Sequence, residues 1–157
     1  MQVLVFGAVA LASAAAVALV GVALGGGGSS SRDEYEATVV DARNEVEFAL
    51  SQISEAQSLE LLLSRLDEAA LVLDRIATDL DQAAVADGFE EEHDELVAAL
   101  GALSSEVSGT AATMRDPNFA AALPNLTSLS FKQWNVVNRV LGDLKKRGID
   151  VEPLGRH

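Results

Sequence analysis

Hydrophobic and polar positions divide this chain into two parts with different patterns. From residue 2 to residue 24 nearly every side chain is apolar and none is charged, and the first charged side chain is Arg32. Beyond Arg32, apolar residues recur at spacings of three and four, which is the period of an amphipathic α-helix. The pattern therefore predicts one continuous apolar segment followed by a domain of amphipathic helices.

The amphipathic part predicts four helices, at about residues 32–55, 58–87, 89–115 and 131–147. Ser31 with Glu34, and Ser130 with Gln133, are spaced as capping boxes for the first and fourth helices, and Ser58 is suited to cap the second. Gly88 is expected to end the second helix in a left-handed conformation, and Gly148 to end the fourth.

Each predicted helix carries an apolar seam that would face a common core. The seams are Tyr35, Val39, Ala42, Val46, Leu50 and Ile53; Leu59, Leu62, Leu66, Ala70, Leu73, Ile76, Leu80 and Ala84; Phe89, His93, Leu96, Leu100, Leu103, Val107 and Met114; and Phe131, Trp134, Val137, Leu141 and Leu144. Short connections between successive helices favour an all-α antiparallel bundle of about four helices over residues 32–157. A long helical hairpin, or a three-helix coiled coil with the last helix docked across it, is the alternative.

The apolar segment has the length of a membrane-spanning helix. Residues 2–24 would form a helix of roughly 34 Å, and a bilayer core is about 30 Å thick. We therefore expect a transmembrane anchor over residues 1–24 and a flexible Gly/Ser tether, GGGGSSS, over residues 25–31. A signal peptide cleaved after Ala23-Leu24-Gly25 is the alternative, but the run exceeds the usual apolar region of about 7 to 15 residues, and no Lys or Arg precedes it.

The flanking charges bear on the orientation of this predicted single-pass protein. Arg32 and Arg43 follow the apolar segment, and the positive-inside rule taken alone would place the bundle in the cytoplasm. The bundle is otherwise acidic, so its charge opposes translocation little, and we expect it on the extracytoplasmic side. Small residues recur every fourth position in the anchor, as at Ala8, Ala12 and Ala16, and such a face would permit a homo-oligomer.

Charge is distributed unevenly along the predicted bundle. Residues 32–116 contain 5 basic and 21 acidic side chains, whereas residues 117–157 contain 6 basic and 3 acidic. The acidic helices would repel nucleic acid, so we expect the bilayer, through residues 2–24, and a protein as partners. The cations of the fourth helix either neutralise the acidic helices, bind an anionic partner or form a solvated face. These candidate interaction residues are Lys132, Arg139, Lys145, Lys146 and Arg147.

Few residues offer catalytic or metal-binding chemistry. Glu90 and His93 form one E-x-x-H motif, which di-iron bundles carry on two helices, but the only other histidine is His157. His93 also lies on the apolar seam, so a histidine satisfied at the core edge is the favoured interpretation. The chain has no Cys, and no phosphate-loop Lys follows the glycine run at residues 25–28. The sequence therefore predicts no metal, no cofactor and no enzymatic activity.

The end of the bundle carries the spacing W-x-x-x-N-x-x-L-x-x-L-x-x-x-G-I, from Trp134 to Ile149. With the apolar start and the leucine seam of the second helix, this ending resembles secreted or membrane-tethered four-helix proteins of actinobacterial type, which mostly have no assigned activity. The resemblance spans most of residues 32–154 and implies a four-helix fold. Members of that group often contain Cys, which this chain lacks, and the resemblance supplies no site residue.

Three functions remain open from the sequence. The first is a membrane-anchored bundle acting as an interaction or structural module. The second is a sensor-type bundle that binds a small ligand between its helices, which would need converging polar groups on the seams. The third is a secreted helical protein released by signal cleavage.

Overall fold

Helices dominate the computed structural model, which describes residues 31–120 and 129–155. The helices are α1 (Arg32–Ser54), α2 (Leu59–Asp81), α3 (Glu90–Met114), the single turn α4 (Pro117–Ala120) and α5 (Lys132–Lys146). The prediction of an all-α bundle with four long helices is confirmed for these residues. The predicted anchor and nearly all of the predicted tether lie outside the described residues.

The four long helices enclose one hydrophobic core. Helix α1 packs beside α2, α2 beside α3, and α3 beside α5. Short connections reverse the chain between α1 and α2 and between α2 and α3, and α5 runs antiparallel to α3, because its first residues contact Glu106 and its last contact Glu92. Every position of the predicted third seam is buried, and Leu66, Leu73, Leu103 and Leu144 are completely enclosed.

Side-chain caps begin the first two long helices, as the sequence predicts. The Ser31 hydroxyl accepts a hydrogen bond from the Glu34 backbone N–H, and the Glu34 carboxylate accepts one from the Ser31 N–H, which completes the capping box. The Ser58 hydroxyl accepts from the Leu61 N–H at 3.1 Å. These bonds satisfy N–H groups that lack a partner within the helix.

The end of α2 differs from the predicted one. The helix ends at Asp81 rather than near residue 87, and Ala84 is exposed instead of continuing the seam. Two aspartates, Asp79 and Asp81, occupy the last turn, where the helix dipole disfavours negative charge. The following residues fold inward, so that Ala86 and Phe89 are buried, and Gly88, with φ of +84°, belongs to the turn before α3.

The start of α5 is capped by a neighbouring helix. Ser130 makes no cap, and the N-cap residue Phe131 supplies no side-chain hydrogen bond. Instead Glu106 of α3 accepts hydrogen bonds from the backbone N–H groups of Lys132, at 2.8 Å, and Gln133, at 2.9 Å. A carboxylate at a helix N-terminus also interacts favourably with the helix dipole. The cap predicted from local sequence is therefore replaced by a tertiary one.

We expect Glu106→Ala to lower the free energy of unfolding by about 1 to 2 kcal/mol, because it removes both acceptors from the α5 N-terminus. Ser130→Ala, the matched control at the locally predicted cap, is expected to change stability by less than about 0.5 kcal/mol. Chemical denaturation followed by circular dichroism measures both. A larger loss from Ser130→Ala than from Glu106→Ala would contradict the tertiary cap.

The seam of α5 is shifted from the predicted one. Val137, Leu141 and Leu144 are buried as expected, and Val140 joins them. Phe131 and Trp134 pack against the core but are only half-buried, because they lie near the first turn of α5, where the helix begins beside α3. Most of the buried apolar side chains of α5 therefore lie in its second half.

No membrane-spanning helix occurs among the described residues. Across residues 31–120 and 129–155, none of the helices combines the length and apolar character that such a helix requires. The predicted anchor at residues 1–24 lies outside these ranges.

Candidate interaction surface

The candidate cations of α5 mostly contact carboxylates. Arg139 pairs with Glu95 of α3 at 2.5 Å, and Arg147 pairs with Glu92. Lys146 pairs with Asp143 on its own helix, and the hydrogen bond from Lys146 lowers the pKa of the Asp143 carboxyl. Because the Arg139–Glu95 pair is largely exposed, it contributes only about 0 to 1 kcal/mol.

The two remaining candidate cations, Lys145 and Lys132, have different surroundings. Lys145 pairs with Glu152 in the C-terminal residues, whereas Lys132 is exposed at the start of α5. Four of the five candidate cations thus lie beside acidic groups. Two of these acidic partners, Glu92 and Glu95, belong to the acidic helix α3, whereas Asp143 and Glu152 lie on α5 and in the residues after it.

The E-x-x-H residues point in different directions. Glu90 is exposed, and its carboxylate accepts a hydrogen bond from the Gly88 N–H at 3.1 Å; backbone hydrogen bonds at Glu90 and Gly88 lower the pKa of its carboxyl. His93 is 3 % exposed, and its Nδ1 lies 3.3 Å from the Tyr35 hydroxyl of α1. The histidine therefore joins two helices inside the core.

The described residues also place no three His, Asp or Glu side chains where they could hold a metal ion. A cavity of about 10 Å³ lies between α1, α3 and α5, with Val39, Leu96 and Leu141 among its lining residues. That volume approaches only the space of one water molecule. This cavity is too small for the ligand that a sensor-type bundle would bind.

Two arginines fasten the end of the bundle at which α1 begins. The Arg32 guanidinium donates to the carbonyl oxygen of Arg147 at 3.0 Å and also to that of Gly148. Arg147 donates to the Gly88 carbonyl at 2.5 Å, and its guanidinium lies 4.8 Å from the centre of the Phe89 ring. Gly148 has a φ of +94°, a left-handed conformation that favours glycine, and a Cβ there would displace the end of the Arg32 side chain.

The residues after α5 form a segment without regular secondary structure, residues 149–155, which we call the strap. It begins at a Schellman motif, in which the Ile149 N–H donates to the Leu144 carbonyl and the Gly148 N–H to the Lys145 carbonyl. Ile149, Val151 and Leu154 are 0 %, 1 % and 4 % exposed. Burying each such side chain contributes about 1.5 to 3 kcal/mol.

Side chains of α1 and α5 bind the main chain of the strap. Arg43 of α1 donates to the carbonyl oxygens of Glu152 at 3.1 Å and Pro153 at 2.7 Å. Asn138 of α5 accepts from the Leu154 N–H at 2.6 Å and donates to the Leu154 carbonyl at 3.4 Å. These bonds recognise backbone groups, which every extended peptide presents.

Two further carboxylates of α1 complete this recognition. Glu36 accepts from the Asp150 N–H and Glu47 from the Gly155 N–H, each at 2.8 Å. Glu47 also pairs with Arg43 at 3.3 Å, which holds both side chains along the strap. The strap thus lies in a groove whose two walls are α1 and α5.

Sequence reasoning did not find this groove. Val151 and Leu154 are apolar residues near the C-terminus, and both are buried. In the sequence, Arg43 stands out only as a flanking charge, and Asn138 only as part of a spacing. No local signal marks either residue, because their partners lie 109 and 16 positions away in the chain.

Comparison with known proteins found no counterpart for this chain. No family model matches it, and neither a curated protein nor a solved structure does. The resemblance to actinobacterial four-helix proteins therefore stays a prediction, and function is argued from the chain's own residues.

Proposed function

We propose that this protein is a single-pass membrane-anchored helical bundle that acts as an interaction or structural module, without catalysis. The observation that carries the proposal is the uncharged apolar run of residues 2–24. A Gly/Ser tether follows it, and the last residue of this tether, Ser31, is the N-cap of α1. A bundle that begins at the end of such a tether is suited to present its surface close to a bilayer.

The fold specifies which end of the bundle such an anchor would hold near the membrane. Arg32 contacts the end of α5, and Arg147 contacts Gly88, so these residues share the end from which the tether leaves. The tether of residues 25–31 would reach roughly 14 Å on average if flexible. The turn between α1 and α2 would lie up to about 35 Å further from the bilayer, which is the length of the 23 residues of α1.

The charges of the described helices support a protein surface that stands off the bilayer. Acidic side chains dominate α1, α2 and α3, and the cations of α5 are mostly paired with carboxylates. An anionic membrane would repel such a surface, and negative charge also keeps neighbouring copies apart. We propose the extracytoplasmic side for the bundle, and protease access to His157 in sealed vesicles tests that orientation.

We expect the full-length protein to stay in the membrane fraction after high-salt and alkaline extraction, because residues 2–24 would span the bilayer. The control variant carries Ala12→Arg and Ala16→Arg, which place two charges near the middle of the segment, at about 2.5 to 3.5 kcal/mol each. That variant is expected in the soluble fraction.

The secreted alternative gives a different result in the same experiment. A mature protein that begins at Gly26 and is released from membranes would contradict the anchor and support signal cleavage. N-terminal sequencing of the released material distinguishes the two.

A further inference from the structure

The strap is held as a bound peptide is held by its receptor. Its three apolar side chains enter the groove, while Arg43, Asn138, Glu36 and Glu47 hydrogen-bond to its backbone. Recognition of an extended segment through main-chain bonds, with pockets for some of its side chains, is a recurring mode of peptide binding.

The groove also lies where the helices do not close on one another. The close helix pairs are α1 with α2, α2 with α3 and α3 with α5, and the strap fills the remaining side between α5 and α1. Leu154 lines the small cavity together with residues of α1, α3 and α5. Removal of the strap would therefore open an apolar groove that reaches the core.

We propose that this groove is a peptide-recognition site, and that the strap is a resident occupant which a non-helical segment of a partner protein, with a similar pattern of apolar side chains, displaces. The inference rests on the proposed function in taking the bundle as an interaction module, and the membrane anchor plays no part in it.

The strap defines the chemistry of the partner segment. Apolar side chains are needed at its first, third and sixth positions, as in Ile149, Val151 and Leu154. An acidic residue is favoured at the fourth position, where Glu152 pairs with Lys145. The segment must not be helical, because the backbone groups bonded by Arg43 and Asn138 would then be engaged within the helix.

The connection of the strap to α5 makes exchange physically reasonable. Gly148, in a left-handed conformation, separates the strap from the helix. The strap can therefore leave while the hydrogen bonds within α5 remain, at the cost of the bond from the Ile149 N–H to the Leu144 carbonyl. A strap tethered in cis has an effective concentration in the millimolar range. A partner segment therefore meets a groove that is mostly occupied. Its apparent affinity is the intrinsic affinity multiplied by the fraction of molecules whose groove is open.

The test uses the full chain in detergent and a fluorescent peptide with the sequence of residues 148–155, GIDVEPLG. The full chain with Val151→Asp and Leu154→Asp loosens its own strap and leaves the groove side chains unchanged. We expect saturable peptide binding to this variant, and at least tenfold weaker binding to the unmodified chain. A peptide carrying the Leu154→Asp change is expected not to bind.

Groove variants in the loosened background test which side chains bind the peptide. Arg43→Ala is expected to weaken binding about tenfold or more, since it removes charge-assisted bonds to two carbonyls. Arg65→Ala is the matched control, because Arg65 pairs with Glu68 on α2. If circular dichroism shows that the double variant is unfolded, Leu154→Ala takes its place.

Two results would overturn the inference. A folded, loosened chain that does not bind the peptide would show that the groove is only a packing site. A full-length dimer that the peptide dissociates would show that each groove is occupied by the strap of a second copy of the chain and not by a partner protein. Neither result affects membrane fractionation, so failure of this inference is distinguishable from failure of the anchor.

Discussion

Leu66→Ala is expected to lower the free energy of unfolding of residues 31–157 by about 2 to 5 kcal/mol. Leu66 is 0 % exposed at the middle of the α2 seam, and α2 packs between α1 and α3. The substitution removes buried methyl groups and leaves a cavity that the two neighbouring helices can close only in part. Denaturant unfolding monitored by far-ultraviolet circular dichroism measures the loss.

Leu71→Ala is the matched control for this experiment. It makes the same chemical change on the same helix, but Leu71 is 72 % exposed, so the expected change is within about 0.5 kcal/mol. Both substitutions change helix propensity in the same way, so the difference between their effects on the free energy of unfolding measures the contribution of burial. Equal effects of the two substitutions would contradict the placement of the α2 seam against α1 and α3.

Alkaline pH is expected to destabilise the bundle through Tyr35. Burial, together with the negative charges of Glu92 and Asp94, raises the pKa of Tyr35 to about 12. The folded protein therefore retains the phenol proton at a pH where the unfolded chain, with an ordinary tyrosine pKa of about 10, has released it. Stability falls as pH rises from about 10 to 12, by about 2 to 3 kcal/mol over that range.

Tyr35→Phe separates this effect from the titration of lysines at similar pH. The variant loses the hydrogen bond to His93, so it starts less stable near neutral pH, by about 1 kcal/mol. Above pH 10 the variant is expected to lose about 2 to 3 kcal/mol less stability than the parent chain, because it has no phenol to titrate. Parallel alkaline profiles of the two proteins would show that the Tyr35 hydroxyl is not buried in the native state.

These two residues differ in what the sequence revealed about them. Leu66 belongs to a seam that is visible from spacing alone, and its burial could be predicted. Tyr35 and His93 each appeared on a seam, but their hydrogen bond joins residues 58 positions apart. Periodicity specifies which face of a helix is buried without specifying which residue of another helix meets it.

The sequence by itself determined the helical class, the number of long helices, most seam positions and the caps at Ser31 and Ser58. Those features depend on neighbours within about four residues, because helix periodicity and N-capping act over one turn. Only the tertiary structure decided that α2 ends at Asp81, that Glu106 caps α5, and that the strap lies in a groove between α1 and α5. Each of these depends on groups distant in sequence, which meet only after the helices have packed.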